Sequence, residues 1–283
     1  MICNLCPNNC NVDREKTVGL CGVKDKIKIA KYYLHPYEEP CLTGKNGSGT
    51  VFFCGCSLGC VFCQNYDLSR NMRGKEITTR KLADIFRELE DIGATNINLV
   101  TPTHYSHKII EALEIYKPNI PVVYNTHGYE KPEIIKRLFD YVDIFLPDLK
   151  YFSSEISRRY TNKEKYFEIA SSIISLMTQK PLIFEGDLLK SGTIVRHLVL
   201  PQNISDSKKI LDYLAQYKDK IYLNVMSQYT PFGDLTNFPE LNRTLTRREY
   251  ETVIDYAISL GFNNMYYQDF SSQGKTYIPN WDY

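Results

Sequence analysis

Residues 53–65 read Phe-Cys-Gly-Cys-Ser-Leu-Gly-Cys-Val-Phe-Cys-Gln-Asn, and within them Cys56, Cys60 and Cys63 make a Cys-x3-Cys-x2-Cys spacing. Thiolates are the usual ligands of iron–sulfur clusters, and a cubane cluster has four irons to ligate. Three thiolates in one short loop, with no obvious fourth, leave one iron open to a molecule that is not protein. The competing reading is half of a zinc site, in which a fourth ligand from elsewhere closes a tetrahedron.

The surrounding chain has 283 residues, 43% hydrophobic and 24% charged, with a formal net charge of +1. That composition is ordinary for a globular protein, and α/β barrels of this length form a single core. A charge so near zero gives no electrostatic case for nucleic acid or an anionic membrane as partner. No apolar run reaches the length that spans a bilayer. Met1-Ile2-Cys3-Asn4 has neither a basic region nor an apolar stretch, so a reducing cytoplasm is the expected compartment. Nine cysteines are too sparse for a disulfide scaffold. Seven of them gather as Cys3/Cys6/Cys10/Cys21 and Cys56/Cys60/Cys63, and in a cytosolic enzyme such groups read as metal sites. Many thiols with cluster chemistry point to an oxygen-sensitive protein or an anaerobic host.

Beyond the cysteine loop, β-rich runs alternate with helix-like segments, the pattern of a parallel sheet with crossover helices. Residues 50–54 are the expected first strand and deliver the chain into the loop. Residues 80–92 carry Leu82, Ile85, Phe86 and Leu89 at helical spacing, with Thr78 or Thr79 as cap and Gly93 as stop. Further strands are expected at 97–100, 121–124, 142–146, 193–200 and 221–225. Helices are expected at 107–116, 132–141, 163–177, 205–217 (capped by Ser205) and 246–260. About six strand–helix units predict an α/β fold, a partial (β/α)6 TIM-like barrel over residues 50–283. Residues 1–49, with little periodicity, are expected as a cysteine-rich N-terminal extension packed on it.

Barrel enzymes work at the C-terminal edge of their strands. Polar clusters fall at those predicted edges: the three cysteines, Thr101 and Thr103 with His104, Asn125/Thr126/His127, and Asp148 with Lys150. Arg196 and His197 lie near the fifth strand, and Met226-Ser227-Gln228-Tyr229 follows the sixth.

Longer strings carry a resemblance. They are C-N-L-C-P-N-N-C-N-V-D-R (3–14), E-E-P (38–40), C-V-F-C-Q-N (60–65), T-P-T-H-Y (101–105) and Y-N-T-H-G-Y (124–129). D-I-F-L-P-D-L-K-Y (143–151), V-R-H-L-V-L-P (195–201) and M-S-Q-Y-T-P-F-G (226–233) complete them. The chain resembles radical S-adenosylmethionine (SAM) enzymes, in the branch named after the pyruvate formate-lyase activating enzyme, and most the members with an N-terminal cysteine motif. The resemblance implies a [4Fe–4S] cluster on Cys56, Cys60 and Cys63, with SAM chelating the open iron. Thr101-Pro102-Thr103 stands where most relatives carry Gly-Gly-Glu near the methionine amino group, so an acidic residue is missing there. Asn125, Thr126 and His127 would line the next wall of the SAM pocket. Asp148 and Lys150, in an Asp-x-Lys arrangement, would hold the ribose hydroxyls and the methionine carboxylate, with Arg196 and Gln228 as further candidates. A carboxylate accepts two hydrogen bonds, which suits ribose, and Lys or Arg suits a carboxylate by charge-assisted bonding.

The chemistry implied is one-electron cleavage of SAM to a 5′-deoxyadenosyl radical, which abstracts hydrogen from a substrate, while the protein excludes water and aligns that hydrogen. No side chain is assigned as catalytic. The expected substrate is a protein or peptide, with glycyl-radical installation on a partner enzyme as one form and a flavodoxin or ferredoxin as one-electron donor. Modification of a small molecule or ribosomal peptide is the second reading, and a zinc-dependent interaction module the third. Cys3, Cys6, Cys10 and Cys21 are a complete set of four, suited to a structural zinc site or a second, fully ligated cluster.

Overall fold

The computed structural model describes residues 2–268 and 270. Its frame is one sheet built from β1 (Ile27–His35), β2 (Ser48–Phe53), β3 (Lys75–Ile77), β4 (Ile97–Val100) and β5 (Val122–Thr126). The chain continues with β6 (Ile144–Pro147), β7 (Ile183–Glu185), β8 (Leu188–Leu198), β9 (Tyr222–Met226) and β10 (Met265–Tyr267). The strand order is β10-β9-β8-β6-β5-β4-β2-β1-β3, with β7 paired to β8. From β2 to β10 every neighbour on this path is parallel. Among the described residues the sheet ends at β3 and β10. The fold is therefore the expected α/β partial barrel. Strands β2, β5 and β6 are buried along their whole length, as parallel strands covered on both faces must be.

Local chemistry explains the helix ends. The Thr78 hydroxyl accepts from the Lys81 N–H at 3.1 Å, and Thr79–Asp91 then buries Leu82, Ile85, Phe86 and Leu89. Arg247–Ser259 starts with a capping box between Thr246 and Glu249. Ser205, by contrast, lies inside the helix Ile204–Leu214, which Asn203 precedes.

The pattern of residues 1–49 gives no sign of β1, which pairs antiparallel to β2 from Ile29↔Phe53 to His35↔Ser48. Strand β7, the first half of β8 that pairs with it, the helix Ser154–Thr161 and the short β10 are also additions to the expected order, whereas the rest of β8 answers to the strand expected at 193–200. Ahead of β1 the chain is pinned by Arg14, fully buried, which donates to the carbonyls of His104 and Lys24 at 2.6 Å each. Its guanidinium lies 5.5 Å from the Tyr105 ring centroid.

Candidate functional site

Strand β2 ends at Phe53, and the cysteine loop turns on Gly55 and Gly59, with φ of 89° and 81°. A Cβ at Gly55 would come within 2.7 Å of the Cys21 carbonyl, so this close approach requires glycine. Cys56 N–H donates to that carbonyl at 3.1 Å, and Val61 N–H to the Tyr160 carbonyl at 3.0 Å. Asn8 Nδ2 donates to the Ser57 carbonyl at 2.7 Å. Leu58 and Phe62 are buried, Phe62 edge-on to Tyr160 and Tyr229. The loop is thus held by backbone and core contacts, and its three thiols remain free and half-buried.

These thiols lie within electrostatic reach of one another. Burial pushes the Cys56 thiol up and the Cys60 thiol up to about 12, although Lys150 draws Cys60 down. Tyr151 donates to Cys60 Sγ at 3.7 Å and Ser69 to Cys63 Sγ at 3.4 Å. Buried thiols of this kind ionise readily only against a strong positive charge, which a bound metal cluster supplies. Among the described residues no set of three or more His, Cys, Asp or Glu is arranged to hold a single metal ion. Three thiols on one short loop are a donor set that suits a cube, whose irons each take one thiolate.

A cavity of about 410 Å³ opens beside the loop, and Cys63, Asn125, Asp148, Lys150, Arg196 and Gln228 are among its lining residues. The ends of β5, β6 and β8 bring the polar groups together. Asp148 Oδ2 accepts from Lys150 Nζ at 2.8 Å and Asp148 Oδ1 from Arg196 Nε at 3.0 Å. Arg196 Nη2 donates to Asn125 Oδ1 at 2.5 Å. Burial pushes the Asp148 carboxyl up, but Lys150 and Arg196 more than offset it and hold it below the usual range. Burial likewise disfavours the Lys150 and Arg196 charges, and Asp148, joined by Cys60 at Lys150 and by Glu39 and Glu38 at Arg196, more than restores both. Gln228 Oε1 accepts from Gln268 Nε2 at 3.1 Å, and its carbonyl from Gln64 Nε2 at 2.9 Å.

Thr101, Thr103, Thr126 and His127 do not line this cavity. The hydroxyls of Thr103 and Thr126 donate instead to Glu130 Oε1 at 2.6 and 2.5 Å, and Tyr124 OH joins them at 3.3 Å. Glu130 is fully buried, and burial pushes its carboxyl up to about 7. His127 Nδ1 accepts from Tyr129 N–H, so Nε2 carries the proton and donates to Ser57 Oγ at 2.9 Å, bracing the cysteine loop. Thr101 takes a φ of 59°, a left-handed conformation that a β-branched residue seldom adopts.

In the N-terminal group, Cys6 lies within electrostatic reach of Cys10 and Cys21, and Cys21 of Cys3 and Cys10. Burial pushes Cys6 up to about 12 and Cys21 upward. Lys163 stands within reach of Cys6, Cys10 and Cys56, between the two groups.

Glu38, Glu39 and Asn224 are among the cavity residues that the strand-end pattern does not single out. Glu38 and Glu39 precede the short helix Pro40–Thr43, and Asn224 lies within β9. The E-E-P string was the only sign of the first two. Asn224, inside an apolar strand, offered none.

Comparison with known proteins agrees with this geometry. The model of the Radical SAM superfamily matches residues 50–214, more than half of the chain. An uncharacterised protein of Methanocaldococcus jannaschii is 31% identical over 274 residues, covering 93% of this chain and 76% of the relative. Among solved structures, Streptococcus suis SuiB bound to its precursor peptide SuiA superposes with a TM-score of 0.54 at 16% identity, covering 77% of this chain and 48% of SuiB. SuiB alone gives 0.53 at 17% identity, covering 77% and 49%. The chain spans about half the length of these solved structures, and at such identity the likeness is one of fold.

Proposed function

The chain belongs to the radical SAM superfamily, and on that footing we propose that it is an activating-enzyme-like oxidoreductase acting on a protein or peptide. The observation that carries this reading is that Cys63, with Cys56 and Cys60 within electrostatic reach of it, lines the same cavity as the Lys150–Asp148–Arg196 network. Cys56, Cys60 and Cys63 would hold the [4Fe–4S] cluster and SAM would occupy the cavity. When bound, they supply one-electron cleavage of SAM to methionine and a 5′-deoxyadenosyl radical, which takes a hydrogen atom from the substrate.

The protein's own groups bind, orient and shield. Lys150 and Arg196 suit the methionine carboxylate, and Asp148 suits the ribose hydroxyls. Asn125, held by Arg196, and Gln228, held by Gln268, offer polar atoms to the same ligand. Phe62 with Tyr160 and Tyr229 backs the cysteine loop with apolar surface and keeps water from it. Cys3, Cys6, Cys10 and Cys21 would hold zinc or a second cluster, in a structural or electron-relay role. A structural neighbour bound to a precursor peptide supports a peptide substrate. An external flavodoxin or ferredoxin would supply the electron. We place the enzyme in the cytoplasm; no helix among the described residues is long and apolar enough to cross a membrane.

The test is anaerobic. Protein reconstituted with iron and sulfide, reduced and given SAM, is expected to release 5′-deoxyadenosine, and Cys→Ala variants at 56, 60 or 63 to release none. A fully reconstituted protein that leaves SAM intact would end the proposal.

A further inference from the structure

Next to the Lys150–Asp148–Arg196 network, where Arg196 Nη1 lies 3.6 Å from Glu38 Oε2 and Arg196 sits opposite Asn224 in the β8–β9 register, a second polar pole belongs to the same cavity. Glu39 and Asn224, 5% and 7% exposed, both line it. Asn224 Nδ2 donates to Glu39 Oε1 at 2.8 Å. A carboxylate only accepts, so this bond fixes which way the amide faces. The two remaining atoms, Glu39 Oε2 and Asn224 Oδ1, are buried acceptors with no hydrogen-bond partner among the described residues. Such atoms are costly to bury unless a donor reaches them. The backbone holds them in place. Thr43 and Leu42 N–H groups donate to the Glu39 carbonyl, and Cys41 and Leu42 anchor the turn in the core.

The donor needed there carries several N–H groups and positive charge. Glu38 also lines the cavity, and among the described lining residues the three carboxyl groups of Glu38, Glu39 and Asp148 stand against two cationic side chains, Lys150 and Arg196, which lie within ion-pair distance of Asp148 and Glu38. Tyr37, Tyr266 and Tyr267 line it as well, and aromatic rings attract cations. We propose that Glu39 and Asn224 form the substrate subsite and receive an ammonium or guanidinium group, the side chain of a lysine or arginine in the peptide. The proposal rests on the radical SAM reading for its peptide and names the feature that peptide must carry.

The experiment uses the cluster-loaded protein with SAM bound, without oxygen, and three probes: Gly-Gly-Lys-Gly-Gly, the same peptide with norleucine for lysine, and n-butylammonium. Equilibrium dialysis is expected to show the lysine peptide binding roughly tenfold or more tighter than the norleucine peptide, the order of one charge-assisted hydrogen bond. Glu39→Gln should bring that ratio close to one. Tighter binding of n-butylammonium than of the lysine peptide would keep the cation and discard the peptide. Equal binding of the two peptides, or no binding of either cationic probe, overturns the subsite, and the wild-type ratio decides this even if the variant does not fold. Weakened SAM affinity in Glu39→Gln with an unchanged peptide ratio assigns the pole to the cofactor and likewise overturns it. Release of 5′-deoxyadenosine by the wild type is read separately, so a failure of the radical chemistry is not mistaken for a failure of the subsite.

Discussion

The carbonyl of Cys21 accepts a hydrogen bond from the N–H of Cys56 at 3.1 Å. The last thiol of the N-terminal group and the first thiol of the cysteine loop thus share a backbone contact, and Asn8 adds a second through the Ser57 carbonyl. The surroundings of the two cysteine groups therefore adjoin.

Replacing Cys56, Cys60 and Cys63 together by Ala should remove about four irons per chain, one cube's worth. The N-terminal cysteines are untouched, so any metal that remains would be assigned to them. Elemental analysis of the purified variant reads both numbers, and an iron content equal to wild type would count against the assignment of the loop.

Asp148→Asn should weaken SAM binding and destabilise the fold by about 3 kcal/mol, because it leaves the buried Lys150 and Arg196 charges without their shared counter-ion. The Asp148 carboxyl is held below its unfolded value, so its contribution is present above the ordinary carboxylate range and fades as pH falls through the lowered value. Denaturant unfolding at several pH values checks this, with the variant losing that part of the acid sensitivity.

Glu130 has the opposite sign. Its carboxyl rises from 4.5 to about 7 on folding, so its neutral form favours the fold fully below 4.5, and that advantage drains away as pH climbs through 7. The loss amounts to about 3 kcal/mol at most. Glu130→Gln, which keeps an acceptor for Thr103, Thr126 and Tyr124, should flatten the stability curve between pH 5 and pH 8 by roughly that amount. Thermal unfolding across this range shows it, and an unchanged slope would contradict it.

Tyr151→Phe removes the hydroxyl 3.7 Å from Cys60 Sγ. Hydrogen bonds to ligand sulfur raise a cluster's reduction potential, so the variant's midpoint should move to a more negative value in a spectroscopic redox titration. No shift would mean that the hydroxyl does not reach the ligand.

Much of this protein could be read along the chain. The Cys-x3-Cys-x2-Cys loop can be read without any partner from elsewhere, because its three donors lie seven positions apart or fewer and belong to one loop. Helices announce themselves through local signals such as Thr78 and the apolar spacing of Leu82, Ile85, Phe86 and Leu89, and much of the order of strands and helices follows from periodicity. Asp148, Lys150, Arg196, Asn125 and Gln228 were legible as polar residues at strand ends, where a barrel collects them.

Other features depend on separation in sequence. Strand β1 is a strand because β2 pairs with it, and no composition rule states that register. Thr103 and Thr126 turn to Glu130 rather than to the cavity, a choice made by a buried carboxyl that needs donors from two strand ends at once. Glu39 meets Asn224 across 185 positions. The chain by itself determined the type of metal chemistry and the barrel, since both rest on short-range spacing. Only the folded sheet decided which side chains face the cavity and which are spent in holding the loop, because burial and hydrogen-bond satisfaction act between groups that the sequence keeps far apart.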